Sequence, residues 1–149
     1  MSADDTFPTR LDELAFLLEE VPRSLRRKLD ERLNVHGLSR THWRILAYVL
    51  RDPGMSQTEL ARCLELERMT ISLALDKMEV NGLVKRERSS KDGRMQLVNA
   101  TAKARALLPK IRLEADATYT ELLRDMPEEH ITELQSILKM LAANLRRSD

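Results

Sequence analysis

Apolar residues recur at helical spacing at both ends of the chain. Near the start, Leu11, Leu14, Leu18, Val21 and Leu25 stand three and four residues apart. That repeat lays one apolar stripe along a helix and fits a coiled-coil-like seam. The helix is expected to begin at Thr9 or Arg10 and to kink at Pro22, where the ring removes a hydrogen-bond donor. It should end at Gly37, a residue suited to the left-handed stop. A second helix is expected over 40–50, capped by Ser39, with Trp43, Leu46, Ala47 and Leu50 as its buried stripe. Residues 51–55 contain Pro53-Gly54 and read as a turn. Ser56-Gln57-Thr58-Glu59 has the order of a capping box and opens a short helix ending at Cys63 or Leu64. After a tight link, a further helix is expected over 68–81. Ile71, Leu75 and Met78 face its core side, and Arg68, Met69, Ser72, Leu73, Asp76 and Lys77 lie away from it.

At Gly82 the pattern changes. Residues 83–88 and 95–99 are short strand-like runs flanking a polar turn over 89–94, the pattern of a hairpin. Thr101 then caps a long helix to about residue 124, with Leu107, Leu108, Ile111, Ala115 and Leu122 on one side. Pro127 suits the start of a last helix, on which Ile131, Leu134, Leu138, Leu141 and Leu145 restore the three-four spacing. A short helix, a tight turn, a second helix with a polar outer face and a hairpin make a winged helix-turn-helix. The predicted fold class is therefore mainly α: a winged helix-turn-helix with a two-stranded β wing and N- and C-terminal dimerisation helices. Residues 37–101 form the winged unit, and residues 1–36 with 102–149 form the helical dimerisation domain. The terminal seams exceed what so small a central unit can bury. A symmetric homodimer through Leu11, Leu14, Leu18, Ile131, Leu134, Leu138, Leu141 and Leu145 would cover them.

Composition narrows the function. The chain has 149 residues and a net charge of +1, so no global field draws it to a polyanion. Charge is instead segregated. From Gly82 to Arg105 there are seven Lys or Arg against two acids, and from Glu114 to Glu133 seven acids against one base, Arg124. A basic hairpin beside a helix pair suits phosphate contact and groove insertion. Aromatics make up only 3%, which leaves Leu and Met to fill the interior and favours helices. The lone cysteine, Cys63, precludes an intrachain disulfide and fits a reducing compartment. Its place near the end of a short helix suggests a small buried apolar role rather than a redox one. No apolar run is long enough to span a bilayer, and the acidic stretch 1–10 lacks the order of a signal peptide. A cytoplasmic protein without membrane contact is expected.

Specific motifs carry a resemblance. Gly37-Leu38-Ser39 is followed by Thr41-His42-Trp43. Ser56-Gln57-Thr58-Glu59-Leu60-Ala61, Gly82-Leu83-Val84 and Asp92-Gly93-Arg94 then follow in order. Over roughly residues 11–145 this layout resembles the MarR family of bacterial transcriptional regulators, and looks most like its SlyA-type branch. The resemblance implies a homodimer that binds double-stranded DNA at a pseudo-palindromic operator, as a repressor or an activator, with repression the expected outcome. It implies that Arg94 enters the minor groove from the wing tip, with Asp92 holding that arginine or nearby backbone. Thr70, Ser72 and Lys77 would sit on the recognition helix, and Ser56, Gln57 and Thr58 would meet phosphate. Arg68, Leu73, Arg86, Arg88 and Lys91 complete the expected DNA-contact set.

Three positions depart from the family pattern. Leu73 stands where many members carry arginine. It cannot make a bidentate guanine contact and can only press on a thymine methyl. Ala102-Lys103-Ala104 replaces an acidic-Lys-Gly sequence, which should stiffen the entry to the long helix. Met126-Pro127 replaces a small polar cap.

The resemblance also implies release by a small aromatic or anionic effector or its thioester. Arg23, Arg26 and Arg27 would act as the anion clamp, and His42 and Trp43 as a wall. His36, His42 and His130 show no ligand spacing with one another or with Cys63, so no metal and no cofactor are expected. No nucleophile-base order, phosphate loop or carboxylate pair points to an enzyme. The alternative is a winged-helix protein-interaction module without DNA binding, against which the basic wing argues.

Overall fold

A computed structural model of the chain describes residues 8–146; most of the acidic stretch in which no signal peptide was expected lies outside them. The helices are α1 (Arg10–Asn34), α2 (Arg40–Arg51), α3 (Gln57–Leu64), α4 (Arg68–Val80), α5 (Ala102–Leu122) and α6 (Glu128–Arg146). The strands are β1 (Met55–Ser56), β2 (Val84–Arg88) and β3 (Gln96–Ala100). The residues fall into two compact units that divide between Ala115 and Asp116.

Local chemistry sets the helix limits. Thr9 caps α1 in a reciprocal box with Asp12: its hydroxyl accepts from Asp12 N–H at 3.2 Å, and the Asp12 carboxylate accepts from Thr9 N–H at 2.8 Å. The helix runs without interruption past Pro22. It ends as expected at Gly37, with φ +71°. There Leu38 N–H reaches the Leu33 carbonyl at 3.2 Å and Gly37 N–H the Asn34 carbonyl at 2.9 Å, the paired closure of a Schellman ending. Gly82, φ +70°, closes α4 in the same way, with Leu83 N–H on the Met78 carbonyl at 2.9 Å. Thr101 links this end to the next helix. Its hydroxyl donates to the Gly82 carbonyl at 2.6 Å and accepts from Ala104 N–H at 3.2 Å. Lys103 Nζ donates to the Asn81 carbonyl at 2.7 Å, placing a cation at the negative end of α4.

One core fills the first unit. Leu29 and Leu33 of α1 join Ile45, Leu46 and Val49 of α2, Leu60 and Leu64 of α3, Ile71, Leu75 and Met78 of α4, and Val84 and Val98 of the sheet, with Ala104, Ile111 and Ala115 of α5. Ala104, in the stretch expected to stiffen the helix entry, is fully buried in this core. In the second unit, Asp125 takes a left-handed φ of +63° before α6, and no residue of α6 is buried.

Three expectations need correction. The expected β2–β3 wing hairpin forms, and a third strand, β1, joins it in an antiparallel sheet of order β1-β3-β2. Met55, expected in the turn, pairs with Val98, and Ser56, which keeps its expected cap, pairs with Leu97, so the two residues form a short strand. Two residues show no periodicity, so only the long-range partner reveals them as a strand. The buried face of α2 is His42, Ile45, Leu46 and Val49, whereas Ala47 is exposed. The unbroken apolar run over 45–50 leaves the rotation of that helix undetermined by pattern alone. Cys63 is half-buried rather than buried.

Leu73 and Leu75 test this assignment from a single helix. Leu75→Ala should lower unfolding free energy by about 2–5 kcal/mol, and Leu73→Ala by no more than about 0.5 kcal/mol, read from urea midpoints. Equal losses would mean α4 is rotated from the orientation described.

Candidate nucleic-acid interface

The helix pair is fixed from its first residue. Ser56 N–H donates to Glu59 Oε2 at 2.9 Å, and the Ser56 hydroxyl accepts from Glu59 N–H at 3.1 Å. The backbone and side-chain bonds from Ser56 hold the Glu59 carboxyl below its ordinary range. Ser56 is buried and its hydroxyl is committed to this cap, so it leaves the expected phosphate-contact set. Gln57 and Thr58, the next residues, are half-buried and exposed respectively. The turn between the helices is made by Glu65 in the left-handed region, φ 53°, with Leu66 N–H on the Ala61 carbonyl at 2.9 Å. A side chain accepts this conformation at a cost that the surrounding closure offsets.

Burial of Ile71, Leu75 and Met78 turns the opposite side of α4 outward. Arg68, Met69, Thr70, Leu73, Asp76 and Lys77 are exposed, and Ser72 is half-buried. Arg68 is the only arginine of the helix and stands at its first position.

The wing is organised by its own polar groups. The β2–β3 register runs from Val84 opposite Ala100 to Arg88 opposite Gln96. Beyond it, Ser89 N–H donates to the Met95 carbonyl at 2.9 Å. The Ser89 hydroxyl accepts from Lys91 N–H at 3.2 Å and from Asp92 N–H at 3.3 Å. Asp92 Oδ1 accepts from Arg94 N–H at 3.0 Å. The Asp-x-Arg element thus works through backbone: the aspartate shapes the tip, and the exposed Arg94 side chain projects from a held main chain. Arg88 and Lys91 are exposed beside it. Ser89 was not anticipated; its only sequence signal was a hydroxyl opening a polar turn.

Arg86 behaves differently from its neighbours. Its guanidinium donates to Asp76 and, at 2.8 Å, to Glu79, while Glu79 Oε1 accepts from Arg86 N–H at 3.2 Å. Its side chain is 18% exposed. Burial acts to lower its pKa, but the bonds from Glu79 and Asp76 outweigh that and raise it. The same side-chain and backbone bonds pull the Glu79 carboxyl down. Arg86, expected among the DNA contacts, thus commits its Nε and Nη2 donors to clamping β2 to α4. Alternation along the strand could not reveal this, since the partners lie seven and ten residues away on a helix.

Residues from three elements meet between helix pair and wing. Gln57, Thr58, Arg68, Ile71, Arg94 and Gln96 line one hollow of about 160 Å³. Two arginines, one at the start of α4 and one at the wing tip, thus share a polar recess.

The expected effector residues are distributed differently. Arg23 and Arg26 line a hollow with Leu18, Glu19 and Pro22, and Arg27 lines another with Asp30, Glu31, Asn34, Leu38 and Ser39. Trp43 is half-buried against the core. His42 is buried and closes the α2 cap, with its Nδ1 accepting from Ser39 N–H at 3.2 Å. Desolvation, reinforced by the Lys77 charge, lowers the His42 pKa against the opposing pull of Asp30. Among the described residues no cluster of His, Cys, Asp or Glu could hold a metal ion, and no helix is long and apolar enough to cross a membrane.

Known proteins share this fold. Residues 36–95 match the MarR family. The matched segment runs from just after α1 to the residue after Arg94, and so contains both arginines of the recess. A crystal structure of MarR, 25% identical, superposes with a TM-score of 0.78 over 90% of this chain and 98% of its own. A cysteine-to-serine mutant of MarR from E. coli complexed with operator DNA is 20% identical, with a TM-score of 0.81 over 92% and 99% of the two chains. CouR from Rhodococcus jostii RHA1, bound to p-coumaroyl-CoA, is 23% identical, with a TM-score of 0.77 over 91% and 95%. The fold is the winged helix of MarR-family transcriptional regulators.

Two outcomes are expected. Arg86→Met should reduce stability by only about 1 kcal/mol or less, because both carboxylates are substantially exposed, yet amide exchange across β2 and β3 should quicken while α2 is unchanged. Unaltered wing exchange would show that the ion pairs do not hold the wing. For His42 the folded pKa is depressed, so the unfolded chain binds the extra proton first. Stability is then full above the ordinary value of 6.5 and falls as the pH drops through the depressed folded value. Urea midpoints at neutral and mildly acid pH should diverge less in His42→Gln, which keeps a capping acceptor but does not titrate.

Proposed function

We propose that the chain is a homodimeric, sequence-specific DNA-binding regulator of transcription, acting in the cytoplasm as a repressor at a pseudo-palindromic operator. The observation that carries this reading is the recess shared by Arg68 and Arg94, flanked by the outward face of α4. Such a concave cationic seam suits a phosphate backbone passing between a helix in the major groove and a wing in the minor groove. The wing tip supports it, because Ser89 and Asp92 hold the backbone from which Arg94 projects. A preorganised tip loses less conformational entropy on binding than a free loop. In this reading Gln57, Thr58, Arg68, Thr70, Ser72, Leu73, Lys77, Arg88, Lys91 and Arg94 face DNA, and Asp92 shapes the tip. Within the MarR family, the motif order over residues 11–145 supports the SlyA-type branch.

The dimer reading rests on exposed apolar seams. Leu11, Leu14 and Leu18 on α1, and Leu134, Leu138, Leu141 and Leu145 on α6, are all exposed in the single chain, with Ile131 half-buried. An exposed apolar stripe of that length on a helix marks an interaction surface. A twofold dimer would present two recognition helices to half-sites one helical turn apart. An effector follows from the basic stretch of α1 beside the Leu18 seam. A small aromatic or anionic ligand, or its thioester, held by Arg23, Arg26 or Arg27 would change how the two copies meet, and hence the spacing of their recognition helices. CouR with its bound p-coumaroyl-CoA is a structural relative consistent with this class of ligand.

The test is selection of bound genomic fragments by the purified protein at two salt concentrations, repeated with Arg94→Ala. One inverted repeat should be enriched, with affinity falling steeply in salt. The variant should bind it more weakly and with a salt slope smaller by about 1. A folded Arg94→Ala dimer with unchanged affinity would remove the wing from the mechanism, and no enriched sequence would remove the DNA-binding reading itself.

A further inference from the structure

Two large apolar side chains stand where the proposed reading places base contacts. Met69 is 67% exposed and Leu73 61% exposed, four residues apart on α4 and so on one face. Neither serves the core, which takes Ile71, Leu75 and Met78 from the same helix. Of the charged residues on this face, Asp76 and Arg68 are engaged elsewhere, and Lys77 stands one turn beyond Leu73. Asp76, the one acid on this face able to accept from a cytosine amine, is tied to Arg86. Arg68, the one arginine of α4, lines the recess shared with Arg94 on the wing, so the middle of the helix presents no guanidinium for guanine.

Resting on the DNA-binding reading above, we propose that Met69 and Leu73 determine sequence specificity by packing on the C5-methyl groups of thymines in the major groove. The thymine methyl is the apolar feature that the major groove of unmodified DNA displays, and it distinguishes T·A from every other base pair at that edge. The surroundings fit a nucleic-acid partner rather than an apolar protein groove. Arg68 and Lys77 flank the pair on the helix, Arg88, Lys91 and Arg94 lie on the neighbouring wing, and all are exposed. Cations bring the phosphates in, and the apolar pair then selects among base steps by what it can desolvate. Thr70, exposed between Met69 and Leu73 in sequence, adds a hydroxyl that bonds a base edge of either polarity. The half-site that results is rich in T·A pairs beneath α4.

The experiment uses the full-length protein and the duplex enriched by the selection above. Each thymine of one half-site is replaced in turn by deoxyuridine, which deletes the methyl and keeps every hydrogen-bonding group. Affinity is read by fluorescence anisotropy for wild type, Met69→Ala and Leu73→Ala. At one or two positions the wild type should lose about fourfold per methyl removed, the equivalent of ~0.8 kcal/mol for one buried CH₂ group. In the variant lacking the matching side chain, that penalty should vanish while penalties elsewhere persist. Both substitutions are at exposed sites, and retained urea midpoints will show that the variants are folded. Equal affinity of the wild type for thymine and uracil duplexes at all positions would overturn the proposal and leave the regulator reading standing. Penalties that persist unchanged in both variants would do the same, assigning the effect to DNA shape. Failure to enrich any duplex would take down both readings together.

Discussion

Burial of Ile71, Leu75 and Met78 fixes the rotation of α4, and everything at the candidate interface is referred to that rotation. The three residues lie on one side of a 3.6-residue period and are fully buried in a core built from α1, α2, α3, the sheet and α5. Turning the helix by one residue would draw Ser72 or Asp76 into that core without partners, at a cost far above that of a shifted apolar contact. The outward set at 68, 69, 70, 73, 76 and 77 is therefore determined by what is hidden. The capping box of Ser56 with Glu59 and the left-handed Glu65 set where α3 ends and α4 begins. They place the helix start beside the sheet.

Position of the wing depends on weaker forces. Antiparallel pairing of β2 with β3 and β3 with β1 makes the sheet, and Val84 and Val98 anchor its inner face in the core. The outer part has no such anchor. It is held to α4 by the Arg86 guanidinium on Asp76 and Glu79, and its tip is shaped by Ser89 and Asp92. Ion pairs with exposed partners add little to global stability, but they orient the part of β2 beyond its one core residue, Val84. The clamp also neutralises acids that would otherwise face a polyanion. The contribution is one of geometry and local field more than of folding energy.

The apolar surface of α1 and α6 has the opposite character. On each helix, among the described residues, it is exposed and spaced like a helical interface. By contrast Met69 and Leu73 are a small, isolated apolar pair among cations. Burial alone cannot distinguish these two kinds of exposed hydrophobic group. Their electrostatic surroundings do, because a cationic rim favours a polyanion and a continuous stripe favours another helix.

Helix starts and stops were legible in sequence because they are governed by neighbouring residues. Gly37, Ser39, Ser56 with Glu59, Gly82 and Thr101 act over a span of a few residues, and each does so in the folded chain. The inward face of α4 was equally legible from spacing, as was the outward placement of Met69 and Leu73. The order of motifs from Gly37 to Arg94 falls within residues 36–95, the segment that matches the MarR family. What depended on distant partners was not legible. The two-residue strand β1 exists only by pairing with Val98 and Leu97. The phase of α2 was ambiguous within an unbroken apolar run, and packing chose Ile45 and Val49 over Ala47. Arg86 and Ser56 resembled contact residues because both are polar and lie in the right segments. Tertiary structure gave Arg86 to two carboxylates of α4 and sealed Ser56 between its cap and the sheet. Sequence thus determined the local elements and their faces, where the physics is short-ranged. Tertiary structure alone decided which polar side chains were already taken, since hydrogen-bonding capacity is local but the availability of a partner is not.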